Sequence, residues 1–166
     1  VAKDKQPRVS GNPFKGAGGK TPKAAHNVQP EKVPRTQSQA HLDVGARKIR
    51  FTFADADLDG PWSLLDLAPE HTPDFFRFLR DIEGQTVNEL AGPNGRNLYK
   101  EYDNFGDCPN VAAPKRLAEL YESSDNICRF RLSGERRLYG LRFGHLIALL
   151  WWDPTHDIWP SPKKNT

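Results

Sequence analysis

The sequence contains no methionine, only two cysteines and no long apolar run. Cys108 and Cys128 are too few for a disulfide scaffold and lack metal-ligand spacing, so free, buried thiols in a reducing cytoplasm are expected. The longest apolar run, Leu146 to Trp152, falls far short of the ~20 residues of a membrane span and is closed by Asp153-Pro154. The opening Val1-Ala2-Lys3-Asp4-Lys5 lacks the apolar stretch of a secretory signal, and with no methionine present, removal of the initiator before Val1 is expected. A cytoplasmic protein without membrane attachment is expected. Apolar residues are also sparse, at 37% of the 166 residues, so part of the chain is expected to contribute nothing to a core. The length allows one ordinary domain plus an extension.

That extension is residues 1–46. Pro7, Pro13, Pro22, Pro30 and Pro34 are scattered with glycines among Lys, Gln and Ser, and Phe14 is the only aromatic. Such a segment cannot offset a backbone ordering cost of ~1–2 kcal/mol per residue, and a disordered basic arm is expected. Its two readings are a phosphate-tracking arm and a solubilising linker. Gly16-Ala17-Gly18-Gly19-Lys20-Thr21 is not a phosphate loop, because Phe14 stands where the first glycine is needed and no strand precedes it. Charge is unevenly spread. Residues 1–50 hold 11 Lys/Arg against 3 acids, residues 51–125 hold 6 against 15, and residues 126–166 hold 7 against 3. Two basic regions around an acidic middle point to a polyanionic partner.

A compact domain is expected over residues 47–166. Ile49, Phe51 and Phe53 alternate with polar residues as one face of a strand. Thr72-Pro73-Asp74 reads as an N-cap, a first-turn proline and a first-turn acid, followed by Phe75, Phe76, Leu79 and Ile82 at helical spacing. Thr86-Val87-Asn88-Glu89 reads as a capping box opening a short second helix. Residues 96–110 read as loop, and Pro114 as the start of a third helix. Ile127–Leu132, Arg136–Arg142 and His145–Trp152 then form a three-stranded meander. Its last strand is apolar on both faces, as a central strand would be. The order β-α-α-α-β-β-β predicts an α+β fold with helices packed on one face of an antiparallel sheet.

Within the meander, Arg129 and Arg131 point outward in alternation, and Arg136, Arg137 and Arg142 lie on the next strand. Outward residues of paired strands stand about 5 Å apart, so these arginines call either for a polyanion or for carboxylates of the acidic middle. Lys163 and Lys164 extend the basic end. His156, three residues after Asp153, suits proton transfer with the carboxylate orienting it; otherwise Asp153 caps a turn and His156 packs. Trp151, Trp152 and Trp159 serve either the core or base stacking. Asp55, Asp57, Asp59, Gly60, Ser63 and Asp66 match a calcium-loop spacing. With Asp66 in place of the closing Glu and a strand instead of a helix before it, an acidic turn without metal is expected.

Two groups of residues carry a resemblance. Phe51-Thr52-Phe53 with Asp59-Gly60-Pro61-Trp62, and Arg131-Leu132-Ser133-Gly134, Arg137-Leu138-Tyr139-Gly140 and Leu150-Trp151-Trp152-Asp153-Pro154-Thr155-His156, together resemble uncharacterised small bacterial and prophage proteins. More distantly, the element order and a basic meander ending near a histidine resemble RelE/YoeB-type toxins, ribosome-dependent endoribonucleases of the mRNA interferase class. The resemblance implies cleavage of ribosome-bound RNA and an antitoxin partner, with no cofactor. His156, Arg131 and Asp153 would be catalytic; Arg129, Arg136, Arg137, Arg142, Lys163 and Lys164 would bind nucleic acid. The alternative is a non-catalytic nucleic-acid- or ribosome-binding protein.

Overall fold

A computed structural model describes residues 47–93, 98–122 and 126–160. The expected disordered arm, residues 1–46, lies outside the described residues, as do Lys163 and Lys164. The described chain is α+β. Its elements run β1 (Arg50–Thr52), α1 (Thr72–Glu83), α2 (Val87–Ala91), β2 (Tyr99–Glu101), α3 (Ala112–Leu120), β3 (Ile127–Arg131), β4 (Arg137–Phe143) and β5 (Leu146–Asp153). Among the described residues no helix is long and apolar enough to cross a membrane.

The local signals that could be read are those with a chemical cause. Thr86 and Glu89 form the expected reciprocal capping box at the start of α2. Helix α1 begins one residue earlier than its cap signal suggests: Thr72 lies inside it, its hydroxyl donating to the Ala68 carbonyl, and His71 is the cap position. Phe75, Leu79 and Ile82 form the buried stripe of α1, each worth about 1.5–3 kcal/mol of burial. Helix α3 starts at Ala112, with Pro114 inside its first turn, where a missing N–H leaves no helical bond unmade.

The sheet differs from expectation in three ways. It has five strands in the order β1-β5-β4-β3-β2, because Tyr99–Glu101, expected as loop, pairs with β3. It is mixed, since β1 runs parallel to β5, with Arg50 opposite Leu146. It is also covered on both faces. Helices α1 and α2 pack with Ile49, Phe130, Leu138, Leu149 and Trp152. On the other face α3 packs with Trp62, Ile127, Tyr139, Leu150 and Trp151. The physical reason is β5, whose two apolar faces each need a cover. Trp151 and Trp152 are both core residues. Cys108 and Cys128 are buried and unpaired, and burial pushes the Cys128 thiol up to about 12.

The acidic turn after β1 is a packing device. The Asp57 carboxylate accepts from Arg116 Nε at 2.8 Å, Arg116 Nη2 at 2.7 Å and Trp151 Nε1 at 3.0 Å. It therefore joins the turn to α3 and β5, and this carboxylate is engaged by protein donors rather than offered to a cation. A Cβ on Gly60 would stand 2.0 Å from Asp57 Oδ2, which explains the glycine there.

A β-bulge lies between β4 and β5. Gly140 pairs with Leu149, yet Tyr139 pairs with Trp151, so Leu150 is the extra residue. A Cβ on Gly140 would approach the Ala148 carbonyl oxygen to 2.7 Å and Ile147 Cγ2 to 2.9 Å. One contact is backbone of the neighbouring strand, which cannot yield without moving the ladder. Gly140→Ala is therefore expected to destabilise by about 1–3 kcal/mol, measured as a lower urea midpoint with unchanged slope. A stability equal to wild type would show that the bulge relaxes freely.

Candidate nucleic-acid interface

The bulge decides what surrounds the arginines. Without the extra residue Arg137 would stand opposite Trp152; with it, Arg137 stands opposite Asp153. A one-residue shift exchanges faces because side chains alternate. Asp153 is thereby placed with Trp151's neighbours across the sheet, and Trp152 joins the α1 face.

Register then builds two rows on the α3 side. Lys100, Arg129, Tyr139 and Trp151 lie in line across β2, β3, β4 and β5, and Arg131, Arg137 and Asp153 lie in the next row. The arginines expected to face solvent thus share a face that is partly packed. Arg129 is half-buried, Arg131 exposed and Arg137 buried. Arg137 Nη1 donates to the carbonyls of Gly134 at 2.8 Å and Arg136 at 2.9 Å. Burial first, then Arg129 and Arg131, lower the pKa of Arg137, against the opposite pull of Tyr139 and Asp153.

The other two arginines are engaged internally. Arg136 Nη1 lies 3.4 Å from Asp74 Oδ2, and its Nη2 donates to the Ser133 hydroxyl. Arg142 Nη1 lies 2.5 Å from Glu101 Oε1, and its Nε donates to Gly144 O. Pairing with the acidic middle accounts for these two. Arg129, Arg131 and Arg137 form no ion pair among the described residues.

Asp153 is fully buried, its two oxygens accepting from the amides of Asp157 at 2.9 Å and Ile158 at 3.0 Å. It is not hydrogen-bonded to His156. It closes the turn that carries His156 and so positions the imidazole through the backbone, besides acting on it by its charge. His156 itself sits at φ 62°, in the left-handed region where histidine is infrequent. Burial, followed by the positive charges of Arg137 and Arg129, lowers its pKa; Asp153 and Glu135 pull the other way. These influences favour the neutral imidazole.

Five buried polar atoms in this neighbourhood have no well-formed hydrogen bond: Tyr102 Oη, Arg129 Nε, Arg137 Nε, Tyr139 Oη and His156 Nε2. Tyr102 keeps weaker contacts with Tyr139 and Arg129, and buried polar atoms this sparsely satisfied are where water, an ion or a ligand is commonly held. Four of the five groups are donors, since burial raises both phenol pKa values and keeps their protons on. Beside them, Trp159 stacks on Tyr102 at 4.3 Å, and the Lys100 ammonium lies 4.7 Å from the Tyr102 ring centre. The arrangement is a set of cationic and neutral donors with aromatic rings at its edge and a neutral imidazole within it.

The structure therefore gathers Arg129, Arg131, Arg137, Asp153 and His156, and sets Arg136 and Arg142 apart. Lys100, Tyr102 and Tyr139 were missed by sequence reasoning. Lys100 sits on a three-residue strand too short to show alternation, and Tyr102 directly follows it; Tyr139 alone carried a signal, its place two residues after Arg137.

Comparison of the chain with protein-family models, with curated proteins and with solved structures returns no match. The functional reading accordingly rests on the site alone.

Proposed function

We propose that the chain is a toxin-like endoribonuclease of the mRNA interferase type, with ribosome-bound RNA as its substrate. The observation that carries this reading is the convergence of unpaired Arg129, Arg131 and Arg137 with a neutral His156. Arginine forks match phosphate oxygens, and three of them with no carboxylate partner among the described residues favour a phosphodiester. The neutral imidazole would take the proton of a ribose 2′-hydroxyl. The 2′-oxygen would then attack phosphorus, and the 5′-oxygen would leave with a proton from water, giving a 2′,3′-cyclic phosphate. Arginines would stabilise the charge gathering on the phosphorane, a contribution of ~10²–10³ in rate per donor in comparable sites. Asp153 would position His156 by holding its turn. An acidic antitoxin segment is the protein partner that would cover the same arginines.

The alternative, a non-catalytic nucleic-acid- or ribosome-binding protein, is favoured by one observation: Asp153 makes no hydrogen bond to His156, so no carboxylate–imidazole pair is in place. Induction of the wild type and of His156→Ala/Arg131→Ala in bacteria, with mapping of new RNA 5′ ends, separates the two. Ribosome-dependent cuts that vanish in the double variant are the expected result. Intact RNA with folded wild-type protein present would overturn catalysis and leave the binding reading.

A further inference from the structure

Five large apolar side chains stand exposed among the described residues, and four of them share one groove. Phe53, Leu58, Leu65 and Phe76 are 55%, 48%, 72% and 56% exposed. With Leu64 and Leu67 they line a depression of about 250 Å³. Isolated exposed apolar residues are ordinary, but a contiguous group this large marks a contact surface. The segment that supplies most of it is acidic. Residues 51–76 contain six acids and no Lys or Arg. Asp55 and Asp57 are buried, and Asp74 pairs with Arg77 and Arg136. Asp59, Asp66 and Glu70 remain exposed and form no ion pair among the described residues. Asp59 follows Leu58 and Asp66 follows Leu65 in the chain, while Arg77, which follows Phe76, is paired with Asp74.

We infer that this groove docks an amphipathic basic helix of a partner protein, its apolar stripe on Phe53, Leu65 and Phe76 and its Lys or Arg residues against Asp59, Asp66 and Glu70. Several occupants fit poorly. Nucleic acid is repelled by these exposed acids. A second copy would bring the same acids against themselves. The chain's own first 46 residues are basic, but their sequence carries no apolar stripe at helical spacing. The groove is built from side chains of a loop, a 3-10 turn at Leu64–Asp66 and α1; no strand edge lines it, so helix-in-groove docking is the mode it suits. This inference does not depend on RNA cleavage.

The test uses the full chain, the neutral dye Nile red, and two helical peptides of about 18 residues, five turns, one of Leu and Lys and one of Leu and Glu. Nile red should fluoresce on the wild type and be displaced by the Leu/Lys peptide at a concentration at least about tenfold lower than by the Leu/Glu peptide. Leu65→Asp/Phe76→Asp should weaken the Leu/Lys peptide by about tenfold or more, as expected for central anchors. Asp59→Asn/Asp66→Asn/Glu70→Gln should abolish the preference between peptides while leaving dye binding. Equal displacement by both peptides, or displacement indifferent to Leu65→Asp/Phe76→Asp, would overturn the inference. So would a wild type that binds no dye: as a sedimenting dimer it would assign the groove to a second copy, as a monomer to the chain's own N-terminal segment.

Discussion

Asp57→Ala is expected to destabilise the fold by about 3 kcal/mol, the low end of what loss of one member of a buried ion pair costs. Arg116 is a quarter exposed and water compensates part of its charge, whereas Asp57 is nearly sealed. The variant would leave the buried Trp151 indole N–H without its acceptor as well as stranding the guanidinium. Arg116→Ala strands a buried carboxylate instead and should cost a similar amount, and the double variant should cost clearly less than the sum, because the two act as a unit. The pH dependence has a definite sign. Burial works to raise the Asp57 pKa, but the hydrogen bonds from Arg116 and Trp151 outweigh it and hold the carboxyl below its ordinary value. A depressed folded pKa means a contribution fully present above the unfolded value, near 3.9, and lost as pH falls through the folded one. Urea unfolding should therefore show the gap between wild type and Asp57→Ala to be widest at neutral pH and to narrow below about pH 4. An equal gap at pH 7 and pH 3 would mean that the carboxylate charge contributes nothing and that only packing was lost.

The same carboxylate shows where sequence reading stops. Asp55, Asp57 and Asp59 are legible as an alternating acidic turn, but spacing says nothing of a partner 59 residues downstream. Elements with a chemical signature close at hand were legible: the Thr86/Glu89 capping box, the apolar stripe of α1 and the three long strands. What escaped depends on long-range pairing. Tyr99–Glu101 becomes a strand only because β3 offers it an edge, and β1 runs parallel to β5 because the chain crosses over between them. The bulge at Leu150 escaped for a related reason. In an unbroken apolar run no polar residue marks the place where alternation slips, and that slip decides that Asp153 rather than Trp152 faces Arg137. The arginines were legible as a group, but their division into paired Arg136 and Arg142 and unpaired Arg129, Arg131 and Arg137 requires the positions of Asp74 and Glu101.

Arg129→Met is expected to raise stability and lower RNA affinity together, a combination that a structural arginine would not produce. The side chain makes no ion pair among the described residues, meets the Tyr102 hydroxyl, and buries its Nε without a well-formed hydrogen bond. Its charge bears on Arg137 and on His156. Replacing such a charge with an apolar group of similar length is neutral to stabilising, here by about 1 kcal/mol. The His156 pKa should rise towards its ordinary value, because one of the charges that hold it down is gone; NMR titration of the imidazole reads this directly. In the wild type the lowered pKa means that the folded state binds fewer protons than the unfolded chain. Stability therefore climbs as pH rises through the folded pKa towards the ordinary histidine value near 6.5. The variant should show a shallower climb over that interval. RNA carried along this face, as proposed, would lose one phosphate contact: about tenfold in affinity at moderate salt, and a fall of roughly 0.7–1 in the slope of log affinity against log salt. Arg142→Met, which breaks an internal pair with Glu101, should reverse the pattern, with lower stability and little change in the salt slope. If Arg129→Met and Arg142→Met both destabilise and neither alters the salt slope, the face is a structural charge network and RNA does not run along it.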